Sequence, residues 1–316
     1  MRAYFRFYCV FMLGVVILFV LWTFISLQVG VSNVEGFAKI IEWKKNYADG
    51  LKHSKFILSS GSNGLYGVDT SWLEKSLNVP FVNFAISQPL GLYNLYIAGL
   101  SAVSGDIIVA PLEYEMYTNN IYLHEIIYVI AYDRDYLRTQ SIFQKLRFIM
   151  GLSLTEVLQK CMSVFFPPKI AEITETEKVT STLNRNGDET SNIEQKLETP
   201  QGPSKPLTTP NFVSSSALRR LSDFIDECRA SGVTFIAAYP SLLYDEVYDS
   251  GVVRKNISDI QAFYKSKNVP ILGTFEESLY PIEDMYDTVY HLNSDGRAKR
   301  TERMLRDLRE TGIAGD

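Results

Sequence analysis

Short apolar runs alternate with helical patterns along most of this 316-residue chain, and this alternation limits the possible folds more than any other feature. Each run has the length of one buried strand, and the runs read KFILSS, PFVNFAI, DIIVAPLEY, VTFIAAYP and VPILG. The segments between them have helical patterns, namely GVDTSWLEKSL, GLYNLYIAGLSAV, SSSALRRLSDFIDECRASG and a stretch near 249–266. Strands that alternate with helices form parallel sheets. Because the runs are almost continuously apolar, we expect helices to cover both faces of the sheet.

The sequence therefore predicts an α/β fold, with a doubly wound, mostly parallel sheet flanked by helices. We expect this domain to occupy residues 55–316, because the alternation resumes after one long interruption. Residues from about 119 to 166 are rich in Tyr, Ile and Leu and predict a helical insertion. Residues from about 173 to 210 contain no aromatic side chain and four of the twelve prolines. Such a segment buries too little apolar surface to offset its ordering entropy, so we expect a disordered loop there.

The amino end carries the longest apolar stretch, Phe7 to Leu27, which has no charged residue. At about 1.5 Å per residue, a helix of this length crosses roughly 30 Å of hydrocarbon. A cleaved signal peptide is the alternative, but its apolar region has only about 7 to 15 residues. We therefore expect a single-pass membrane anchor over residues 1–30 and a juxtamembrane helix over 31–54. Basic residues flank the stretch on both sides, so charge alone does not settle its orientation.

Composition excludes several classes of partner and cofactor. The formal net charge of −5 gives no electrostatic reason to expect nucleic acid, which binds clustered Lys and Arg. The chain has three histidines and no Cys-x-x-Cys spacing, so we expect no metal site and no cofactor. Outside the apolar stretch, Cys161 and Cys228 are the two residues that could form a disulfide, and the sequence does not say whether they meet.

Small polar residues follow the first predicted strand, in the stretch FILSSGSNGLYGVD. At the carboxyl end of a parallel strand, a serine is exposed and lies beside backbone N–H groups and the positive end of the next helix. This environment suits an attacking hydroxyl and its oxyanion. The same residues also fit a plain turn and helix cap.

A second polar stretch, YDTVYHLNSDGRAKRT, lies near the carboxyl end. Asp287 precedes His291 by four residues, and a helix is expected to begin after Asn293. A serine hydroxyl becomes a nucleophile when a histidine takes its proton, and a carboxylate holds that histidine in the required tautomer. The alternative is that His291 only packs against the last helix.

Together the two stretches resemble the SGNH (GDSL-like) hydrolase superfamily. SGSN stands at the position of the family's nucleophile motif, and DTVYHLN stands at the position of its terminal Asp/His block. A membrane-anchored bacterial branch of the superfamily, which moves acyl groups on cell-surface polymers, is similar to this chain in the stretches SGSNGLYGVD, VPFVNFAI and GDIIVAPLEYEMY. The resemblance covers roughly residues 55–117 and 213–308. It implies an SGNH-like α/β fold with Ser62 as nucleophile, His291 as general base and acid, and Asp287 as the residue that orients the imidazole.

The resemblance also identifies where the oxyanion donors are expected. Ala85 stands where the family has glycine, and Glu113 and Tyr114 replace the asparagine block. We therefore look for oxyanion donors first at the backbone N–H groups of Ser62 and Asn63, then at the Asn63 side chain and at the backbone near Gly91. We expect Glu113 and Tyr114 to contact substrate. A glycosidase that uses Glu113 and Glu115 is a weaker interpretation, since it leaves the serine and histidine stretches unexplained.

These features predict a membrane-anchored serine esterase or O-acyltransferase that modifies a cell-surface or exported polysaccharide through an acyl-serine intermediate. The expected partners are the membrane, a polysaccharide or other acyl acceptor, and an integral-membrane acyltransferase. We expect the globular domain on the periplasmic side of the inner membrane. The alternative is a catalytically inactive SGNH-like protein that recruits or positions a membrane partner.

Overall fold

The computed structural model divides into two compact units, which are described separately. The first comprises Met1–Ala38 and Tyr122–Thr176, and the second comprises Lys39–Ile121 and Glu177–Asp316. The structure describes residues 2–28, 32–118, 123–140, 142, 145–146, 148, 181–194 and 205–313.

The first unit is built from helices. α1 (Arg2–Gln28) contains the stretch Tyr4–Trp22, which is long and apolar enough to cross a membrane and whose side chains lie largely exposed. The other described helices are α6 (Leu123–Tyr132) and α7 (Arg134–Thr139), and α6 contacts α1. These two helices lie within the range 119–166 of the predicted insertion. The rest of that prediction lies outside the described residues.

The second unit is an α/β domain, as the alternating pattern predicts. It begins in α2 (Ser32–Asp49), a helix that lies within the segment 31–54. Its five-stranded sheet has the order β2-β1-β3-β4-β6, and every neighbouring pair is parallel. The strands of this sheet are β1 (Phe56–Leu58), β2 (Phe81–Asn83), β3 (Ile107–Pro111), β4 (Thr234–Ala238) and β6 (Ile271–Leu272). β5 (Leu242–Leu243) and β7 (Leu279–Tyr280) form a second, two-stranded parallel sheet.

Six further α-helices lie in the described part of this unit. They are α3 (Ser62–Gly67), α4 (Thr70–Leu77), α5 (Tyr93–Leu100), α8 (Ser215–Ala230), α9 (Gly251–Ser266) and α10 (Ser294–Glu310). α8 begins at a cap in which the Ser214 side chain accepts from an N–H of the first turn, and the chain turns after it at Gly232, whose φ of +74° favours glycine. Both residues belong to the stretch SSSALRRLSDFIDECRASG, which has serines at its start and glycine at its end.

Helices cover both faces of the sheet, and this follows from the alternation of side chains along each strand. Phe235 of β4 contacts the ring of Phe224 in α8, whereas its neighbour Ile236 belongs to a buried cluster with Leu305 and Leu308 of α10. Successive side chains on a strand point to opposite faces, so α8 and α10 lie on opposite sides. The prediction from near-continuous apolar runs is confirmed.

One prediction is wrong for part of the chain. Residues 181–194 fall within the predicted disordered loop, yet they form a turn with buried polar side chains. Asp188 accepts hydrogen bonds from the N–H and hydroxyl of Thr70 and from the side chain of Asn83. This segment has few apolar contacts, and hydrogen bonds between polar groups keep it ordered instead. Residues 205–210 are also held, because the Asn256 side chain donates to the carbonyls of Leu207 and Thr209. Residues 173–180 and 195–204 of the predicted loop lie outside the described residues.

Candidate active site

The candidate site lies where the order of the sheet reverses. β1 pairs with β2 on one side and with β3 on the other. In doubly wound sheets the crevice at the carboxyl ends of two such strands is the usual place for a ligand. The segment after β1 carries Ser62, and the segment after β3 carries Glu113. The topology therefore brings together two residues that were singled out from distant parts of the sequence.

Two of the three serines after β1 have structural roles. Ser59 is fully buried, and its hydroxyl donates to the Asn94 carbonyl. Ser60 is also buried, and its Oγ accepts from the Gly64 N–H at 3.1 Å and so caps the start of α3. Ser62 is the first residue of α3 and is half-buried. It is therefore the serine of this stretch that remains accessible.

Glu113 holds the backbone on both sides of Ser62. Its Oε2 accepts from the Gly61 N–H at 2.8 Å, and its Oε1 accepts from the Asn63 N–H at 2.9 Å. The carboxylate is fully buried. Hydrogen bonds to a charged acceptor are stronger than neutral ones, so this pair fixes the first turn of α3 firmly.

A buried arginine holds Asn63 from the other side. The guanidinium of Arg300, in α10, donates to the Asn63 carbonyl at 3.0 Å and to Asn63 Oδ1 at 2.9 Å. It also donates to the Ser241 hydroxyl, which in turn donates to the Tyr290 carbonyl. Burial lowers the pKa of Arg300, and the negative charge of Glu113 acts against that shift. Opposite buried charges therefore clamp the residue that follows Ser62.

The predicted Asp/His pair is formed. His291 Nδ1 lies 2.7 Å from Asp287 Oδ1, and both side chains are partly buried. The turn between them is tied by Thr288, whose Oγ1 accepts from the His291 N–H at 3.1 Å. This geometry leaves Nε2 as the imidazole nitrogen that can take a proton from a substrate or a nucleophile.

Tyr66 joins the serine helix to the histidine turn. Its ring stacks on the His291 ring, with centroids 4.2 Å apart and planes 17° apart. Ser62 and Tyr66 are four residues apart in α3 and so lie on the same side of that helix. The hydrogen bonds of the described residues do not include one from Ser62 to His291. Catalytic hydrogen bonds are often long in unliganded enzymes and tighten when substrate binds.

Two of the residues predicted to supply oxyanion donors, Asn63 and Gly91, are engaged elsewhere, which corrects the expectation for them. The Asn63 N–H donates to Glu113, and Asn63 Nδ2 donates to the Pro111 carbonyl at 2.8 Å. The Gly91 N–H donates to the Gln88 carbonyl at 2.8 Å and closes a short 3₁₀ turn. The N–H of Ser62, at the first position of α3, has no acceptor within the helix and is the predicted donor that fits this role.

The predicted substrate contacts are also wrong. Glu113 and Tyr114 are 0% and 1% exposed, so neither side chain reaches a substrate. Two residues further on, Glu115 accepts from the Tyr290 hydroxyl at 2.8 Å. Burial raises the pKa of Glu115 to about 7. The acidic residues after β3 therefore hold other parts of the site in position.

Sequence reasoning missed two residues that build this site. Arg300 lies in the quoted stretch GRAKRT, but an arginine in a helix gives no sign of burial until the partner at Asn63 is known. Asn192 was assigned to the disordered loop, yet it is fully buried and contacts both halves of the site. The turn-forming string NRNGD just before it was the signal available, because Asn, Gly and Asp favour defined turns.

Comparison of the chain with protein-family models, curated proteins and solved structures gives no match. The functional interpretation therefore depends on the arrangement of these side chains and on the resemblance of the quoted stretches.

Proposed function

We propose that the protein is a membrane-anchored serine esterase or O-acyltransferase of the SGNH type. The observation that carries this proposal is the Asp287–His291 hydrogen bond beside the helix that begins with Ser62. Asp287 fixes the tautomer in which Nε2 is basic, His291 takes the proton of Ser62, and the hydroxyl attacks an acyl carbonyl. The bond between the acyl carbon and the leaving group of the donor then breaks, and His291 returns the proton to that leaving group, which departs. The acyl-serine then passes its acyl group to a hydroxyl of the acceptor or to water.

A polysaccharide is the acceptor we favour. The half-buried rings of Tyr66 and Tyr286 stack on each other beside His291, with centroids 5.9 Å apart. Aromatic rings with one apolar body and one polar end suit the mixed surface of a sugar. The apolar α1 supports a site held near a membrane, and we propose that the α/β domain lies on the extracytoplasmic side, where exported polymers are modified.

The test uses full-length protein in detergent, an activated acetyl ester and a fluorophosphonate probe. We expect wild type to turn over the ester and to be labelled, and Ser62→Ala to lose both. Ser71→Ala is the matched control, since Ser71 is also a half-buried serine at the start of a helix. Equal turnover in wild type and Ser62→Ala would contradict the assignment of the nucleophile.

A second candidate function is supported by the contacts of Glu113. Its carboxylate accepts hydrogen bonds from the N–H groups of Gly61 and Asn63. These two groups flank Ser62 and would otherwise be available to stabilise an oxyanion. Loss of one oxyanion donor lowers the rate by about a hundredfold to a thousandfold. The alternative is therefore an inactive member that recruits or positions a membrane partner during polysaccharide modification. Wild-type protein that is neither labelled nor active would favour this second function.

A further inference from the structure

A buried asparagine joins the two parts of the chain that carry the proposed catalytic residues. Asn192 Nδ2 donates to the Tyr66 carbonyl at 2.8 Å and to the Leu292 carbonyl at 2.5 Å. Tyr66 lies in the helix of Ser62, and Leu292 follows His291 directly. We propose that Asn192 is a positioning residue that holds the nucleophile helix and the general base at the distance that acyl transfer needs. This inference rests on the proposed function.

The contact uses both N–H groups of a side-chain amide. Nδ2 has two N–H groups, and one goes to each half of the site. Oδ1 accepts from Arg297 at 3.2 Å. Asn192 is fully buried, so water cannot replace these partners easily. The Tyr66 carbonyl lies at the end of a six-residue helix, where a carbonyl has no partner within the helix, and Asn192 supplies one.

The segment around Asn192 is held independently of its side chain. The Glu189 N–H donates to the Leu65 carbonyl, and both the N–H and the hydroxyl of Ser294 donate to the Ile193 carbonyl. Lys44 donates to the Gly187 carbonyl at 3.1 Å. Replacing the Asn192 side chain therefore removes the link between Tyr66 and Leu292 while the segment keeps its other attachments.

Loss of this link affects the chemical step more than substrate binding. A base must lie within hydrogen-bond reach of the proton that it removes, and a displacement of about 1 Å can cost roughly a hundredfold in rate. The hydrogen bond between Asp287 and His291 does not involve Asn192. We therefore expect the imidazole to keep its tautomer while its distance from Ser62 becomes less well defined.

The experiment compares Asn192→Ala with Asn256→Ala in full-length protein. Asn256 is a matched control, because it is equally buried and its Nδ2 also donates to two backbone carbonyls, those of Leu207 and Thr209. Both variants lose the same atoms and the same number of hydrogen bonds, so we expect similar falls in the midpoint of thermal unfolding. We expect kcat for an activated acetyl ester, and the rate of fluorophosphonate labelling, to fall about tenfold to a hundredfold for Asn192→Ala alone. KM should stay within about twofold, as for an interaction that matters only in the transition state.

The possible results distinguish failure of the positioning role from failure of the proposed function. Equal kcat and labelling rates for the two variants would overturn the positioning role and leave the proposed function intact. A wild-type protein without turnover and without labelling would overturn the proposed function and this inference with it. If Asn192→Ala does not fold, the isosteric pair Asn192→Asp and Asn256→Asp gives the same comparison, since aspartate keeps the volume and cannot donate when ionised.

Discussion

The buried ammonium of Lys44 gives the stability of this protein a defined pH dependence. Lys44 is fully buried, and its Nζ donates to the carbonyls of Ala85 and Gly187. Burial lowers its pKa from 10.5 to about 7, although Asp188 and Glu189 act in the opposite direction. Above pH 7 the unfolded chain therefore binds a proton at Lys44 that the folded chain has begun to lose. Stability rises with pH wherever the unfolded state binds more protons.

The size of the effect follows from the shift in pKa. One pKa unit corresponds to about 1.4 kcal/mol, and the Lys44 contribution grows almost at this rate above its folded pKa. Between pH 7 and about pH 9.5, we expect the free energy of unfolding to gain about 3 kcal/mol from this residue. Lys44→Met removes the titration and leaves two carbonyls without their donor, which costs an amount that does not change with pH.

The measurement is urea denaturation of full-length wild type and Lys44→Met in detergent at a series of pH values. The free energy of unfolding of wild type minus that of Lys44→Met should rise by about 3 kcal/mol between pH 7 and about pH 9.5. Lys75→Met, at an exposed position in α4, measures the effect of removing one lysine charge from the surface. Two curves that stay parallel from pH 7 to about 9.5 would refute a neutral Lys44 in the folded protein.

Three further predictions concern the candidate site. Asp287→Asn removes the acceptor that fixes the imidazole tautomer, so kcat for an activated ester should fall by about three to four orders of magnitude with little change in KM; an unchanged kcat would contradict its role. Glu113→Gln leaves one of the two N–H groups without an acceptor and should lower the free energy of unfolding by about 2 kcal/mol, whereas Glu302→Gln on the surface of α10 should change it by less than about 0.5 kcal/mol. Burial raises the folded pKa of Glu115 from 4.5 to about 7, so its contribution to the free energy of unfolding falls as pH rises through this interval. Glu115→Gln should lack that fall. Urea denaturation at a series of pH values would argue against this reasoning if the free energy of unfolding changed equally with pH in both proteins.

The fold was predictable because its main signal is apolar. The runs FIL in β1 and FIAA in β4 have buried side chains on both faces of the sheet. The order of such runs along the chain is enough to predict a parallel sheet flanked by helices. The caps at Ser214 and Gly232 were predictable for a local reason, since each satisfies the end of one helix. These features depend on nearby residues or on residue type alone.

The site was predictable only in part, because its support comes from distant polar contacts. Asp287 and His291 lie four residues apart, and their hydrogen bond was expected from spacing. Glu113 was expected to touch substrate, but it holds two backbone N–H groups some fifty positions earlier in the chain. A carboxylate beside a strand end has the same appearance in the sequence whether it faces a ligand or an N–H group. Only the packing of β1 against β3 distinguishes the two cases.

The polar turn at 181–194 changes how this chain can be shortened. By composition, the stretch between the third and fourth strands of the main sheet is the obvious place to trim the protein for expression or crystallisation. Asp188 in that stretch supplies the acceptors for the amino end of α4, and the Asn186 carbonyl accepts from Asn83 at the end of β2. A deletion that crosses this turn would expose an edge of the sheet and the start of a helix to solvent. Truncated versions of the protein should therefore keep residues 181–194, because this stretch packs into the domain although its composition is that of a flexible linker.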